Sequence, residues 1–564
     1  MNQALFFKKF EILPDSPNGV QKLRELILQL AVMGKLVPQD PSDEPMSIFD
    51  NKTDEKNEQL AVNGKKRKLQ KISKEETPYK LPDTWKWLRL SDISHDWGQK
   101  KPDVKFTYID VTSINKELGL ISEDLKVLNP EDAPSRARKV VKKGTVIYST
   151  VRPYLLNIAI VDTDYDPEPI VSTAFAILHP YSGILNKYLY YYLRSKPFIS
   201  YVESEMTGMA YPAINDTKLY KGLIPLPPLA EQKRIVSKVD ELMILCDKLE
   251  ARCQKKQELQ SELNIVALDR ILRAENQKEF EQNWQLICEN FDLLYDNPEN
   301  VEELKKVILQ LAIQGKLVPQ NPEDEPASVL IEKIKTEKEN VLKGKKTKKL
   351  EYITQLDNEE IPYEPPIGWK WCYLDNISLK ITDGEHSTPE RTSSGYYLLS
   401  ARNVLNGEIS LKDVDYVPER EFLRLRKRCD PNKNDILISC SGSVGRVAVV
   451  DKDEAYVMVR SAALVKPYLR YVNSKYLAYT LRSPLVQNQI VEESRSTAQS
   501  NLFLGKIKKL KIILPPLAEQ KRIVEKVDAL MNLCNQLEEK IGDSQKNAET
   551  LTDAILIEAV RGFK

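Results

Sequence analysis

Residues that carry much enzymatic chemistry are scarce in this chain: three histidines and seven cysteines occur among 564 residues. No two cysteines form a CxxC pair, so the sequence predicts free thiols in a reducing compartment rather than a disulfide framework. His95, His179 and His386 are too far apart in sequence to indicate a metal cluster. We therefore expect neither a metal nor a cofactor in this chain.

Long apolar runs and an excess of one charge are also missing. No run approaches the length of a membrane span, and the first residues lack the apolar core of a signal peptide, so we expect a soluble cytoplasmic protein. The 83 Lys and Arg nearly balance the 82 Asp and Glu, leaving a formal charge of +1. Such a balance gives no bulk attraction to nucleic acid, so any DNA contact must come from local basic surfaces.

Signatures of DNA-modifying enzymes are absent as well. No GxxxxGK[ST] phosphate loop occurs, and Asn129–Asp132 and Asn297–Asn300 lack the second proline and the aromatic residue of an NPPY element that grips a flipped adenine. Ser441–Gly445 carries glycines without a following Lys-Ser/Thr, which predicts a tight turn between strands. No catalytic residue is therefore predicted.

What the sequence does contain is an internal repeat. The phrase LPPLAEQKRIV occurs at Leu226–Val236 and again, letter for letter, at Leu514–Val524. An ILQLA block and a WKW block precede each copy in the same order. The chain is therefore two copies of one unit, roughly 1–275 and 276–564. The other matched blocks are Leu23–Pro45 with Leu304–Pro326, and Pro78–Ser94 with Pro362–Ser378.

Each LPPLAEQKRIV phrase predicts the start of a long helix. Pro228 and Pro516 suit the first helical position, and the apolar residues that follow have coiled-coil spacing. Cys246 and Cys534 occupy equivalent positions in that seam, where core packing is expected. Because each copy leads into the other, we expect two antiparallel helices of about 45 residues, each on the order of 65–70 Å long. The end of the second should meet the block Leu23–Pro45.

Between the matched blocks, residues 95–186 and 379–474 share little sequence. Nearly identical frames around dissimilar inserts indicate one scaffold that presents two different recognition surfaces. The tryptophans at the two insert entrances recur at matched places and are interpreted as core anchors. They are Trp85, Trp87, Trp369 and Trp371.

These features resemble the specificity (S) subunits of Type I restriction-modification systems. The paired phrases carry the resemblance, with DGEHSTP at Asp383–Pro389 and the Arg-Pro-Tyr of STVRPYL at Arg152–Tyr154. The resemblance implies an α+β protein with a pseudo-two-fold repeat, in which two α/β target recognition domains are joined by two long antiparallel coiled-coil helices. The implied segments are 1–77 and 276–360 (helical segments with basic linkers), 78–226 and 361–514 (recognition domains), and 227–275 and 515–564 (long helices).

The resemblance also implies a function. Each recognition domain would read one half of a bipartite double-stranded DNA site, and the helices would dock two methyltransferase (M) subunits. Those subunits methylate adenine N6 with S-adenosylmethionine, and restriction (R) subunits join them, so the S subunit itself is non-catalytic. Two other interpretations stay open: a coiled-coil protein-binding adaptor that does not contact DNA, and an enzyme with an unrecognised site in one insert.

Candidate DNA contacts are residues beside polar turns in the inserts, because arginine bidentate to guanine is the commonest specific base contact. For any single arginine, a structural ion pair is an equal alternative. Basic linkers at Lys65–Lys68 and Lys345–Lys349 are either phosphate contacts or solvated segments. The candidates are Arg152, Tyr154, His386, Arg402, Ser441, Ser443, Arg446, Arg495 and Gln499, with the basic stretch Arg424, Arg426, Lys427 and Arg428 assigned to phosphates.

Candidate partner contacts lie in the repeated phrase itself. Lys233, Arg234, Lys521 and Arg522 stand near helix starts, where the helix dipole disfavours positive charge. Their identical recurrence predicts that both copies make the same contact, and we expect one M subunit to dock at each.

Overall fold

The computed structural model describes residues 16–44, 72–117, 119–208, 211–343, 356, 361–494 and 501–562. It forms two compact units: unit 1 is Met1–Lys256 with Gln545–Lys564, and unit 2 is Gln257–Ser544. These units differ from the sequence repeats because each long helix begins in one unit and ends in the other. No helix in the described ranges combines the length and the apolar character of a membrane span.

Head 1, defined as residues 86–226, contains two four-stranded sheets with strand orders β6-β3-β10-β7 and β2-β11-β8-β9. Its first and last strands, β1 and β12, pair antiparallel and close the head at its base. The strands are β1 Lys86–Arg89, β2 Ser94–His95, β3 Phe106–Ile109, β4 Ile114–Asn115, β5 Leu120–Ile121, β6 Lys126–Leu128, β7 Ala137–Val140, β8 Val146–Ser149, β9 Ile158–Ile160, β10 Pro169–Ser172, β11 Phe175–Pro180 and β12 Leu223–Leu226.

Head 2, residues 370–514, repeats this plan with the sheets β14-β20-β17-β18 and β16-β15-β19 and with β13 paired to β21. Its strand Ile436–Ser439 is buried at every position, so both faces of the sheet are covered there. The strands are β13 Lys370–Tyr373, β14 Ser378–Asp383, β15 Tyr396–Leu399, β16 Asp415–Val417, β17 Ile436–Ser439, β18 Val447–Val449, β19 Tyr456–Met458, β20 Ala462–Pro467 and β21 Lys511–Leu514.

The long helices, α6 at Leu229–Arg273 and α15 at Leu517–Gly562, have the lengths that the sequence predicts, 45 and 46 residues. Cys246 and Cys534 are buried in them, as expected for seam positions. The helices of the described ranges are α1 Gly19–Val32, α2 Leu90–Ile93, α3 Asn186–Leu193, α4 Lys196–Glu205, α5 Asp216–Lys221, α6 Leu229–Arg273, α7 Gln277–Glu289, α8 Phe291–Leu294, α9 Pro298–Ile313, α10 Ala327–Lys343, α11 Glu419–Arg426, α12 Ser474–Arg482, α13 Pro484–Ser494, α14 Leu504–Lys508 and α15 Leu517–Gly562.

Within unit 1, the end of α15 lies beside α1, as predicted. Lys22 Nζ pairs with Asp553 at 2.7 Å, and Lys35 Nζ donates to the Val560 carbonyl at 2.7 Å, so the two helices run in the same direction. Arg24 on α1 contacts Asp247, late in the unit 1 part of α6, whereas Gln39, after the end of α1, donates to Glu231 near the start of α6. Since α6 therefore runs against α1, α6 and α15 are antiparallel here.

Unit 2 repeats this arrangement with the roles of the long helices exchanged. Lys316, the counterpart of Lys35, donates to the Leu272 carbonyl at the end of α6 at 2.6 Å. Lys305, the counterpart of Arg24, pairs with Glu538 on α15 at 2.7 Å. The predicted antiparallel pairing of the long helices is therefore confirmed within each unit.

The repeated phrase joins each head to its helix. Trp85 Nε1 donates to the buried Glu231 carboxylate at 2.9 Å, and Trp369 Nε1 donates to Glu519 at the same distance. The next residue, a buried glutamine, accepts a hydrogen bond from a head backbone amide in both units. These tryptophans are thus core anchors, as the sequence predicts. The glutamine pairs are Gln232 with Leu185 and Gln520 with Asn473.

The arginines of the phrase also have partners inside the chain. Arg234 pairs with Asp43 at 2.5 Å, and Arg522 pairs with Asp324 at 2.7 Å. The neighbouring lysines are exposed on the same helices. The phrase therefore recurs in part because both copies build the same internal junction, and its outward basic residues are Lys233 and Lys521.

The buried glutamates make the junction sensitive to pH. Desolvation raises the pKa of Glu231 and of Glu519 above the ordinary value of 4.5, against the hydrogen bonds from the tryptophans. Gln39 donates to Glu231 Oε1 at 2.6 Å, whereas Glu519 Oε1 has no partner in the described part of the chain. Because their pKa is raised in the folded state, these glutamates contribute most to the free energy of unfolding at low pH, where they are protonated. That contribution is lost as pH rises through the folded-state pKa.

We expect Glu519→Gln to flatten the fall in stability as pH rises above 4.5. The amide has no charge to desolvate, and its oxygen still accepts from the Trp369 indole. Urea unfolding of both proteins across this pH range measures the difference. Glu525→Gln, on the exposed face of the same helix, is the matched control. Parallel pH profiles for wild type and Glu519→Gln would contradict the expectation.

Candidate nucleic-acid interface

The turn between β8 and β9 in head 1 has an unusual backbone. Arg152 and Leu156 have φ values of 48° and 53°, and between them Pro153–Leu155 makes a single 3-10 turn. Residues other than glycine seldom occupy this left-handed region, and such conformations concentrate at binding sites. Arg152 and Tyr154 are both exposed on this turn, with Tyr154 47% accessible.

A second loop, which leads into α5, is attached to this turn. Ile214 N donates to the Thr150 carbonyl at 3.0 Å, and Arg152 N donates to the Pro212 carbonyl at 2.8 Å. The contact brings the Arg152 guanidinium over the ring of Tyr211, 5.1 Å from its centroid. Tyr211 is 69% accessible, so the pair forms an exposed cation–aromatic surface.

The two loops border a cavity of about 740 Å³. Its lining combines apolar side chains with two guanidinium groups, those of Arg152 and Arg136. Sequence reasoning misses Arg136 and Tyr211, because each lies in a different loop from the STVRPYL motif and only the tertiary contacts bring them to it. Other lining residues are Val111, Val151 and Leu155.

Head 2 has the same two-loop contact with different side chains. Leu502 N donates to the Cys440 carbonyl at 2.9 Å, matching the bond between Ile214 and Thr150 in head 1. The intervening turn joins β17 to β18, as the sequence predicts for its glycines. Ser443 is exposed, Ser441 and Arg446 are half-buried, and the surface carries small hydroxyls where head 1 carries an arginine and tyrosines.

The DGEH turn lies at the same sheet edge as this serine turn. In the sheet register, Asp383 of β14 is opposite Ala463 and Ser439 of β17 is opposite Ala462, so both strands end together. A Cβ on Gly384 would lie 2.1 Å from the Met458 carbonyl oxygen, so only glycine permits this turn. The strand register therefore unites two motifs that are more than fifty residues apart in sequence.

Several candidate residues meet at this turn. Arg428 pairs with Asp383 at 2.5 Å and lies 3.0 Å from His386 Nε2, which itself is 2.9 Å from Asp383. Arg424 contacts Glu385 at 3.0 Å. Hydrogen bonds from the Ser387 amide and hydroxyl and from the His386 amide hold the pKa of Glu385 down at about 2, so this carboxylate is ionised.

The remaining candidates divide into exposed and internal groups. Arg402 pairs with Asp415 at 2.8 Å and remains exposed, and the neighbouring Ala401 amide donates to Ser461 Oγ beside the serine turn. Arg426 points inward, where it donates to backbone carbonyls of Pro431 and Tyr456. Lys427 is exposed. Arg495, Gln499 and both basic linkers, Lys65–Lys68 and Lys345–Lys349, lie outside the described residues.

The comparisons with known proteins agree with this architecture. The family model described as the Type I restriction modification DNA specificity domain matches residues 82–261 and 384–544. The specificity subunit of the Type I restriction enzyme EcoAI from Escherichia coli is 33% identical over 564 residues, covering 96% of this chain and 94% of that protein. The corresponding EcoEI subunit from Escherichia coli is 29% identical, covering 95% of this chain and 94% of that protein.

A solved structure described as showing the complex assembly and conformational transition of the type I R-M system shares the fold. One of its chains matches with a TM-score of 0.53 at 23% identity, covering 86% of this chain and 100% of that one. The chain described here belongs to the family of Type I restriction-modification specificity subunits.

The geometry of head 1 yields a direct prediction for Arg152. If its guanidinium reaches a base edge, Arg152→Ala should weaken binding of the cognate duplex about 10- to 100-fold, since a bidentate arginine contributes about 1–3 kcal/mol. Lys143→Ala is the control, because Lys143 precedes β8 and lies at the opposite end of that strand. Equal affinities for Arg152→Ala and wild type in equilibrium binding would remove Arg152 from the interface.

Proposed function

We propose that this chain is the DNA-recognition subunit of a Type I restriction-modification complex, in which each head reads one half of a bipartite double-stranded DNA site. One observation carries the proposal: both heads join the same two loops through equivalent backbone hydrogen bonds but present different side chains there. Head 1 presents Arg152, Tyr154 and Tyr211, and head 2 presents Ser441 and Ser443. A common scaffold with unlike surfaces suits a site whose halves differ.

The heads supply recognition, and the proposed partners supply the chemistry. Two M subunits would dock on the repeated helices and R subunits would join them, so this chain would direct methylation and cleavage without a cofactor of its own. An adaptor that does not contact DNA remains the alternative class, favoured by the near-neutral net charge. DNA binding that weakens steeply with salt separates the two, because such dependence reports phosphate contacts.

Mapping of methyladenine across a genome tests the proposal. With this chain and its M subunit present, methylation should appear at one bipartite sequence, and it should disappear when this chain is deleted. Replacing head 1, residues 86–226, with the corresponding head of another family member should change one half of that sequence and leave the other. A methylation pattern unaffected by deletion would contradict the proposal.

The exposed lysines of the repeated phrase are the proposed M contacts that can be tested most cleanly. We expect Lys233→Glu with Lys521→Glu to abolish co-purification with M, because both residues face solvent on matched helix turns. Arg234 and Arg522 hold internal ion pairs, so reversing their charge would also disturb the junctions. Lys238→Glu with Lys526→Glu, the matched lysines five residues further along, is the control for the same change of charge. Normal co-purification of the lysine variant would exclude this docking surface.

A further inference from the structure

Carboxylates accompany the arginines on the candidate DNA surface of head 2. Arg428 is paired with Asp383, and Arg424 is paired with both Glu385 and Glu421, the latter at 2.7 Å. The side chains of Arg424 and Arg428 remain about half accessible despite these pairs. The positive charge that this surface offers to DNA is therefore largely compensated before DNA arrives.

Head 1 differs in this respect. Arg136 and Arg152 border its cavity, and in the described part of the chain neither has a carboxylate within ion-pair distance. Arg152 rests instead on the face of Tyr211, which leaves its charge uncompensated. The two heads thus carry arginines in opposite electrostatic settings.

Both carboxylates of head 2 have partners besides the arginines, since Asp383 lies 2.9 Å from His386 Nε2 and Glu385 binds the amides of its own turn. Glu385 Oε1 accepts hydrogen bonds from the amides of His386 and Ser387 and from the Ser387 hydroxyl, at 2.9 to 3.0 Å. Asp383 ends β14 in register with Ala463. The turn therefore holds both carboxylates at the sheet edge, and Glu385 has a free second oxygen for Arg424.

A compensated arginine discriminates between DNA sites more than it adds affinity. Binding to any phosphate would exchange one anionic partner for another and would bring DNA against fixed carboxylates, so unrelated DNA gains little. At a cognate site, contacts to the bases offset the unfavourable free energy of that exchange. We infer that Asp383 and Glu385 are specificity-determining residues of head 2, which suppress binding to unrelated duplex DNA. The inference rests on the proposed function.

The test uses the full chain assembled with its M subunits. Asp383→Asn with Glu385→Gln removes both charges while keeping the size of each side chain and the oxygen that receives the turn amides. Affinity is measured for the cognate duplex and for an unrelated duplex of equal length across a salt series. We expect affinity for unrelated DNA to rise about tenfold, with a salt slope steeper by about 1, because Arg428 loses its carboxylate partner and two fixed negative charges are removed, while Arg424 keeps its pair with Glu421.

Glu332→Gln is the matched control, since it removes an exposed carboxylate from α10 away from the turn. Unchanged affinity for unrelated DNA would overturn the inference. So would a fall in cognate affinity alone, which would make the carboxylates base contacts. If the double variant does not fold, Asp383→Asn alone tests the inference by the same measurements, because it removes the carboxylate that pairs with Arg428. Wild-type complex without salt-dependent DNA binding would instead refute the proposed function.

Discussion

The hydrogen bond from a tryptophan indole to a buried glutamate at the start of each long helix joins two unlike heads to helix starts that are identical in sequence. Glu231 and Glu519 are desolvated at these places, and burying a carboxylate is costly unless its partners are in place. Trp85 and Trp369, each directly before the first strand of a head, supply the partner. The head can therefore change its loops without changing how it sits on its helix.

The same constraint explains why the repeated phrase is invariant within the chain while the inserts are not. Its Glu, Gln and Arg each bond to a residue of the WKW block, the head or the ILQLA block, so a change in one copy would leave a buried group unpaired. The insert loops form no such obligatory junction. Their side chains are free to differ, which gives one chain two surfaces: exposed arginine and tyrosines in head 1, and paired arginines with serine hydroxyls in head 2.

Sequence reasoning accounts for much of the frame and for less of the candidate site. The long helices, their seam cysteines, the antiparallel pairing and the anchoring tryptophans follow from periodicity and from the repeat. Arg424 and Arg428 are visible in the sequence as basic residues, but their carboxylate partners are not. Arg136 and Tyr211 carry no local signal, and the inward orientation of Arg426 depends on carbonyls of Pro431 and Tyr456.

The sequence by itself determined the features that depend on residues close together along the chain or on the repeated order of blocks. A proline followed by heptad spacing specifies a helix and its apolar seam, and a repeated order of blocks specifies two copies of one unit. Only the tertiary structure decided which side chains pair between α1 and the end of α15. It also decided which loops share a sheet edge. The reason is physical: the union of the DGEH and serine turns depends on strand register between β14, β20 and β17, which long-range hydrogen bonds set.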